Sequence, residues 1–133
     1  MRVLLADDSL VVRERLAGLL REVSGVSIVA QTHDVPGTLE AIREHRPAVV
    51  ILDLNMPGGS GLDVLQWVQT EKFPVTVFVL TNYPILEYEQ KARDYGARAF
   101  LDKSHEFMKA VELVRQLADA TPQPAARDGG STR

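Results

Sequence analysis

The sequence predicts an α/β fold, in which a five-stranded parallel sheet is covered by helices on both faces. Two observations predict it. Five short runs of apolar, often β-branched residues lack polar alternation, which is typical of strands buried on both faces of a parallel sheet. A segment with helical spacing of apolar residues follows each run, and this alternation of strands and helices predicts right-handed crossovers.

The predicted strands are the apolar runs themselves. They are RVLLA (2–6), VSIVAQ (26–31), AVVIL (48–52), VTVFVL (75–80) and ARAFL (97–101).

The predicted helices begin and end at residues with capping or helix-breaking chemistry. The first helix is predicted from Ser9 to Gly25 and the fourth from Pro84 to Gly96. For the other three only the start is predicted: at Asp34 for the second helix, at Ser60 for the third and after Ser104 for the last. In the fourth helix the predicted apolar face comprises Ile85, Tyr88, Ala92 and Tyr95.

Length and composition indicate one compact soluble domain with its own core. The chain has 133 residues, of which 45% are hydrophobic and 25% charged, and its net charge is -3. Basic residues are not clustered, so we expect no nucleic-acid binding by this domain. Cysteine is absent, the apolar stretch in MRVLLADD is too short for a signal peptide, and no segment approaches a membrane span, so we expect a cytoplasmic protein without membrane contact. We assign the domain to 1–119 and predict a disordered tail or linker start at 120–133, which is rich in Pro, Gly and small polar residues.

Polar side chains follow four of the predicted strands. They are Asp7 and Asp8 after the first strand, Asp53 after the third, Thr81 after the fourth and Lys103 after the fifth. Ligands of open α/β sheets bind beyond the carboxyl ends of the strands, which meet at one edge. We therefore expect these side chains to share one site.

Each of these residues also has a purely structural explanation. Asp8 could cap the first helix, Asp53 could form an Asx-turn with the loop that follows, and Thr81 could satisfy a backbone group. Lys103 could be an ordinary solvated lysine. Capping and turn formation do not require all of them at one edge of one sheet, however, so we interpret them as a functional site.

The charges of these residues indicate phosphoryl chemistry. Three carboxylates in one site repel one another unless a cation is present, and oxygen ligands at an exposed edge suit a hard ion such as Mg²⁺. Such an ion can bridge carboxylates to a phosphoryl group, whose oxygens the Thr81 hydroxyl and the Lys103 ammonium would contact. Because a carboxylate can itself be the nucleophile, we predict that Asp53 is phosphorylated.

Four motifs occur in the order and at the spacing of a known family. They are ADDS (6–9), ILDLNMPGGSGL (51–62), VLTN (79–82) and AFLDKS (99–104). From residue 2 to about 119 the chain resembles the receiver domain of two-component response regulators, of the chemotaxis-regulator type. The resemblance implies a doubly wound, flavodoxin-like (βα)5 fold with strand order 2-1-3-4-5.

The resemblance also implies how the acidic residues act. Asp53 would accept a phosphoryl group from a sensor histidine kinase or a histidine phosphotransfer protein. Asp8, Asp53 and the Asn55 carbonyl would hold Mg²⁺, and Asp7 would act mainly through water.

Three further residues resemble the family's switch. Thr81 and Lys103 match its switch hydroxyl and phosphate-contacting lysine, and Phe100 matches its switch aromatic. Phosphorylation would shift an equilibrium between two conformations and change the face formed by the fourth helix, fifth strand and fifth helix, where we expect Tyr88 and Tyr95. An output protein of unknown identity, or a second copy of the chain in a homodimer, would bind there. Such a domain is not an enzyme, since it catalyses only its own phosphorylation and dephosphorylation.

Two features depart from the family pattern. Ser104 follows Lys103 where the family usually has proline, commonly after a cis bond, so the geometry of this bond stays open. Asn82 and Tyr83 follow the switch hydroxyl, where the family often has a small residue. We expect both side chains to restrict access to the phosphoryl group.

Three alternatives differ in what the site is for. The chain could be the N-terminal receiver half of a DNA-binding transcriptional regulator, with 120–133 as the start of a linker. It could also be a receiver-like interaction module that is never phosphorylated, although every acidic position is filled. A phosphatase that forms an aspartyl phosphate agrees least with the sequence, because Asn55 takes the place of the second acid.

Overall fold

The computed structural model describes residues 1–120, which form one five-stranded parallel sheet with helices on both faces. In chain order the elements are β1 (Arg2–Ala6), α1 (Leu10–Leu20), β2 (Ser27–Thr32), α2 (Val35–His45), β3 (Val49–Leu52), β4 (Asn55–Met56), β5 (Gly59–Ser60), α3 (Gly61–Glu71), β6 (Thr76–Thr81), α4 (Leu86–Asp94), β7 (Ala99–Asp102) and α5 (Phe107–Ala120). The order in the sheet is β2-β1-β3-β6-β7, while β4 and β5 form a separate hairpin. Without the hairpin this is the order 2-1-3-4-5, so the predicted fold is confirmed.

The sheet separates two apolar cores, because neighbouring residues of a strand point to opposite faces. Leu4 of β1 lies beside Val50 of β3, and both pack with residues of α2, α3 and α4. Leu5 and Ile51, the next pair along, pack with residues of α1 and α5 on the other face. The central strands are thus buried on both faces as predicted. In the edge strand β2, which pairs with β1 alone, no residue is fully buried.

The predicted N-caps Ser9 and Ser60 are confirmed, and Asp34, where the second helix was predicted to start, is its N-cap. Ser9, Asp34 and Ser60 each accept a hydrogen bond on their side chains from a backbone N–H in the first turn of the helix. Asp63 completes a capping box on α3, since its Oδ2 accepts a hydrogen bond from the Ser60 N–H at 3.0 Å. These caps fix the points at which the chain leaves the sheet edge.

The first helix ends earlier than predicted. Its last residue is Leu20, and Gly25 lies in the turn before β2 with φ of 83°. Val23 is buried all the same, because this turn returns it to the core that α1 covers, with its N–H donating to the Leu20 carbonyl at 3.0 Å. The apolar spacing therefore extends beyond the helix itself.

The fourth helix is shorter and more exposed than predicted. α4 begins at Leu86 rather than Pro84, and Ile85 occupies the N-cap position without a side-chain hydrogen bond. Ala92 is buried, but Ile85 and Tyr88 are exposed. The predicted apolar face is wrong in its N-terminal half, because Tyr88 lines a surface cavity of about 330 Å³ instead of packing in the core.

The predicted tail falls almost entirely beyond the described residues. Its first residue, Ala120, is the last residue of α5, and 121–133 lie outside the part of the chain that the structure describes. Within residues 1–120, no helix combines the length and the apolar character needed to cross a membrane.

Candidate functional site

Three carboxylates meet at the carboxyl edge of the sheet. Asp7 and Asp8 directly follow β1, and Asp53 directly follows β3, which lies beside β1. Each offers an oxygen, and these oxygens all lie within 4.8 Å of one another. Asp7 and Asp53 are each only 4% exposed, whereas Asp8 is exposed. The cluster is therefore anchored in the protein on one side and open to solvent on the other.

Lys103 places its ammonium group among these carboxylates. Its Nζ lies 2.6 Å from Asp7 Oδ2 and 3.3 Å from Asp53 Oδ2. The Lys103 backbone N–H donates to the Thr81 carbonyl at 2.8 Å, which continues the pairing of β7 with β6 by one residue. Lys103 is thus an ion-pair partner inside the site rather than a solvated lysine.

The electrostatics of the cluster favour a cation. Burial raises the pKa of Asp53 most, and the neighbouring Asp7 charge raises it further, while the Asn55 N–H and Lys103 act in the opposite direction. Burial alone would lower the pKa of Lys103, but its hydrogen bond to Asp7 and the charges of Asp53 and Asp7 outweigh burial and raise it. Two carboxylates therefore share one ammonium group, and added positive charge would stabilise the ionised form of Asp53.

The loop after Asp53 folds back tightly over the edge of the sheet. Asp53 Oδ1 accepts a hydrogen bond from the Asn55 N–H at 3.1 Å, so Asp53 also forms the Asx-turn that its sequence allowed. Asn55 then pairs with Ser60 in the β4–β5 hairpin, and the Gly61 N–H donates to the Leu54 carbonyl at 2.9 Å. Asn55 is exposed and lines the cavity above Asp53.

Thr81, the last residue of β6, is fully buried. Its Oγ1 accepts a hydrogen bond from the Tyr83 N–H at 3.1 Å, which is the structural use that the sequence left open. Thr81 lines the cavity of about 330 Å³ that it shares with Tyr83 and Tyr88. Its hydroxyl therefore serves the loop before α4, and Thr81 lines a cavity that shares Asn55 and Tyr83 with the cavity that contains Asp53.

A second cavity, of about 220 Å³, lies directly above Asp53. Its lining residues are Asp8, Ser9, Val12, Asp53, Asn55, Asn82, Tyr83 and Lys103. Six of these eight residues were singled out from the sequence for metal binding, phosphoryl transfer or access. The structure brings them together, with Asp7 in contact with Lys103 beside the cavity.

Phe100 is not part of either cavity lining. It is 8% exposed and lies in the core on the face covered by α2, α3 and α4. In this structure the aromatic side chain at the switch position is therefore directed into the protein.

Several residues that support the site were not found from the sequence. Arg13 of α1 donates from Nη1 to the Asp7 carbonyl at 2.5 Å, and nothing in its spacing indicates this contact. Asp102 and Glu106 accept hydrogen bonds from backbone N–H groups of the turn that contains Lys103. An acidic residue at each end of a short turn resembles a helix-capping pattern, and this is the sequence signal that could have identified both residues. The Lys103–Ser104 bond is trans, since the described residues contain no cis peptide.

A match to a known family covers most of the chain. Residues 3–115 match the response regulator receiver domain. Among curated relatives, the transcriptional regulatory protein PdtaR of Mycobacterium tuberculosis (strain H37Rv) is 34% identical over an alignment of 116 residues, and the match covers 85% of this chain and 56% of that protein. The transcriptional regulatory protein YesN of Bacillus subtilis (strain 168) is 31% identical over 117 residues, covering 87% of this chain and 32% of that protein. The chain thus spans about half, or less, of the length of these relatives.

Solved structures agree with this match. The signal receiver domain of NarL from Mycobacterium tuberculosis has a TM-score of 0.81 at 29% identity, covering 90% of this chain and 97% of that chain. The response regulator domain of Thermotoga maritima CheB has a TM-score of 0.79 at 25% identity, covering 92% of this chain and 98% of that chain. With the family match over residues 3–115, these likenesses establish that the chain belongs to the response regulator receiver domain family.

Proposed function

We propose that this receiver domain accepts a phosphoryl group on Asp53 from a histidine kinase or a histidine phosphotransfer protein. The observation that supports this most strongly is the position of Asp53 in the cavity above β3. Its Oδ2 lies 3.3 Å from the Lys103 ammonium, and Asp8 lines the same cavity. A nucleophilic carboxylate, a cation and a second carboxylate are what phosphoryl transfer to an aspartate requires.

Mg²⁺ fits the donor set of this site. Carboxylate oxygens within 4.8 Å of one another suit a hard divalent ion, and the exposed side of the cluster leaves room for the waters that Mg²⁺ retains. Asp8, Asp53 and the Asn55 carbonyl would hold the ion. Asp7 would act through water, which agrees with its close direct contact to Lys103. When bound, Mg²⁺ would offset the charge that the carboxylates and the phosphoryl group bring together.

The proposed transfer is a displacement at phosphorus. An ionised Asp53 oxygen attacks the phosphorus of phosphohistidine, the P–N bond breaks, and the imidazole leaves as an acyl phosphate forms on Asp53. Lys103 would contact the phosphoryl oxygens through charge-assisted hydrogen bonds. The acyl phosphate is lost when water attacks phosphorus and the bond to the Asp53 oxygen breaks, which releases inorganic phosphate.

Phosphorylation would change the conformation of the domain through new contacts of Thr81 and Lys103 with the phosphoryl group. The Thr81 hydroxyl accepts its bond from the Tyr83 N–H, so its own proton is available to donate to a phosphoryl oxygen. Hydrogen bonds to charged groups contribute about 1.5–3 kcal/mol each, and a shift from about 1:99 to 99:1 needs about 5.5 kcal/mol. Two such bonds, with Phe100 repacking, would change the populations of two states substantially.

The changed surface would be the one formed by α4, β7 and α5. Tyr88 is exposed on α4, and Tyr95 at its end is half-buried against the core. An output partner or a second copy of the chain would bind this face.

PdtaR and YesN are named as transcriptional regulators, and the chain matches only 56% and 32% of their lengths, so a receiver that controls a DNA-binding domain is the second candidate. In both cases we propose a domain without turnover of a separate substrate.

The test is phosphorylation by a small acyl phosphate with Mg²⁺, followed by intact mass. We expect one phosphoryl adduct on the wild type, none on Asp53→Asn, and none when a chelator is present. Asp119→Asn, an exposed acid on α5, is the matched control and should be modified like the wild type. An unmodified wild-type protein would contradict the proposal and favour an interaction module that is not phosphorylated. An adduct that persists in Asp53→Asn would contradict it by showing that another residue is the acceptor.

A further inference from the structure

The turn that contains Lys103 is closed by two acidic residues, Asp102 and Glu106. Glu106 Oε1 accepts a hydrogen bond from the Asp102 N–H at 2.9 Å. In the opposite direction, the Asp102 carbonyl accepts from the Glu106 N–H at 2.7 Å. These reciprocal bonds join the end of β7 to the residue that precedes α5.

The Asp102 side chain binds the inside of the same turn. Its Oδ1 accepts from the Ser104 N–H at 2.9 Å, and its Oδ2 contacts His105 Nδ1 at 2.9 Å. The hydrogen bond with His105 and that from Ser104 lower the pKa of Asp102, which keeps it ionised as an acceptor. The two carboxylates therefore satisfy the backbone on both sides of Lys103.

The Glu106 side chain does not cap α5. α5 begins at Phe107, and a capping side chain would accept from an N–H inside the helix. Glu106 Oε1 instead binds backward, to the N–H at the end of β7. The other Glu106 contact is an ion pair to Lys109 at 3.8 Å, with both side chains exposed, which contributes little.

This turn determines where the Lys103 side chain starts. The Lys103 N–H is fixed to the Thr81 carbonyl at 2.8 Å, and its Nζ reaches two acids at 2.6 and 3.3 Å. A lysine has a long flexible stem, so the position of its ammonium depends on the backbone that carries it. Residues 103–105 form a turn in which Ser104 and His105 are exposed, so hydrogen bonds contribute more than packing to holding this part of the segment.

We propose that Glu106 is a positioning residue for the phosphorylation of Asp53. It acts by fixing the Asp102–Glu106 turn, so that the Lys103 ammonium faces the Asp7 and Asp53 carboxylates. The inference rests on the proposed function in one respect, namely that Lys103 assists phosphoryl transfer. That Glu106 places the ammonium group can be tested without any phosphoryl donor.

The first experiment compares Glu106→Ala, Glu106→Gln and Lys109→Ala in phosphorylation by a small acyl phosphate with Mg²⁺. Glu106→Ala removes the acceptor, and loss of one such bond predicts a maximal rate lower by about tenfold. Glu106→Gln keeps an oxygen at Oε1 and should restore the rate to within about twofold. Lys109→Ala removes only the 3.8 Å ion pair and should match the wild type. In a Lys103→Ala background, Glu106→Ala should cause no further loss.

The second experiment follows the nitrogen chemical shift of the Lys103 ammonium by NMR at a single neutral pH, with no phosphoryl donor present. Glu106→Ala should move this shift toward that of an exposed lysine, whereas Glu106→Gln and Lys109→Ala should keep the wild-type shift. The same shift in the wild type and Glu106→Ala, or a full further loss of rate in the Lys103→Ala background, would overturn the proposal. If the wild type accepts no phosphoryl group, the proposed function fails, and the ammonium measurement alone decides whether Glu106 positions Lys103.

Discussion

Asp53 uses its two carboxylate oxygens in different ways. Oδ1 accepts a hydrogen bond from the Asn55 N–H, which holds the loop, and Oδ2 faces the Lys103 ammonium at 3.3 Å. Thr81 likewise combines a bond to the loop with a place at the cavity wall. At the scale of single residues, Asp53 therefore divides a turn contact and an ion pair between its two oxygens, whereas Thr81 has one hydroxyl, which already serves the loop.

The raised pKa of Asp53 predicts that the acid destabilises the metal-free protein at neutral pH. Its folded-state pKa lies above the ordinary 3.8, so the folded state holds this proton more tightly than the unfolded chain. Ionisation of Asp53 therefore lowers the free energy of unfolding. This loss of stability is fully present above the pKa of Asp53 in the folded state and disappears as the pH falls below its pKa in the unfolded chain. Asp53→Asn should therefore unfold at higher urea concentration than the wild type near neutral pH with a chelator present.

The same comparison at about pH 3.5 supplies the control, since the unfolded carboxyl is then largely protonated. The advantage of Asp53→Asn should shrink there, and the exposed Asp119→Asn should show no such advantage at either pH. A variant that is less stable than the wild type at neutral pH would mean that the ion pair with Lys103 outweighs burial.

Asn82 predicts a slow loss of the phosphoryl group. Asn82 lines the same cavity as Asp53, and we expect its side chain to restrict the approach of water and of bulky donors. Asn82→Ala should lose the phosphoryl group faster, between about twofold and tenfold, which corresponds to at most about 1.4 kcal/mol of barrier. Release of inorganic phosphate after donor removal measures this, with the exposed Gln90→Ala on α4 as control. Identical release rates in wild type and Asn82→Ala would refute the role in access.

At the scale of elements, the site depends on how closely α3 approaches the loop after β3. Gly61 is the first residue of α3 and is buried. A Cβ at this position would lie 2.5 Å from the Asp53 carbonyl oxygen and 2.8 Å from Leu54 Cα. These are backbone atoms that cannot move aside independently, so glycine is required for the helix to begin where it does.

Gly61→Ala should therefore destabilise the protein by about 1–3 kcal/mol, the usual cost of overpacking. Urea unfolding measures the change. Gly18→Ala is a matched control, because a Cβ at Gly18 in α1 would have no neighbour within 4 Å, and alanine in a helix interior should stabilise by about 0.5–1 kcal/mol. Equal stability of wild type and Gly61→Ala would mean that α3 shifts without cost.

At the scale of the whole molecule, the acidic cluster exists only in the folded sheet. Asp8 follows β1 and Asp53 follows β3, and the oxygens of the cluster come within 4.8 Å because these strands pair in parallel. A ligand that binds this cluster binds the folded state alone, so the free energy of its binding adds to the free energy of unfolding of the entire domain.

Mg²⁺ should accordingly stabilise the wild type against thermal unfolding. At a concentration about 100-fold above its Kd, the gain should be about 2.7 kcal/mol. Asp8→Asn should lose most of this gain, whereas Asp119→Asn should keep it. Scanning calorimetry with MgCl₂ and with NaCl at equal ionic strength measures the difference. The same gain in NaCl, or in Asp8→Asn, would show that general screening rather than a site is responsible.

The sequence by itself determined the fold and which polar side chains follow the strands at one edge of the sheet. Apolar runs such as AVVIL and the helical spacing between them are local patterns, and they dictate which faces are buried. Because parallel strands end at one edge, Asp7, Asp53 and Lys103 could be placed together without coordinates. Helix caps such as Ser60 are equally local, since the capping side chain and its N–H partner are close in sequence.

Only the tertiary structure decided the contacts within the site. The Lys103 Nζ lies closer to Oδ2 of Asp7, 96 positions away in the sequence, than to Oδ2 of Asp53. Which carboxylate lies nearer depends on how β7, β6, β3 and β1 are arranged side by side in the sheet. The exposed start of α4 and the backward bond of Glu106 also depend on packing that no local period encodes. Periodicity specifies which side of an element is buried, whereas differences of less than 1 Å between side chains are set by all the elements that pack around them.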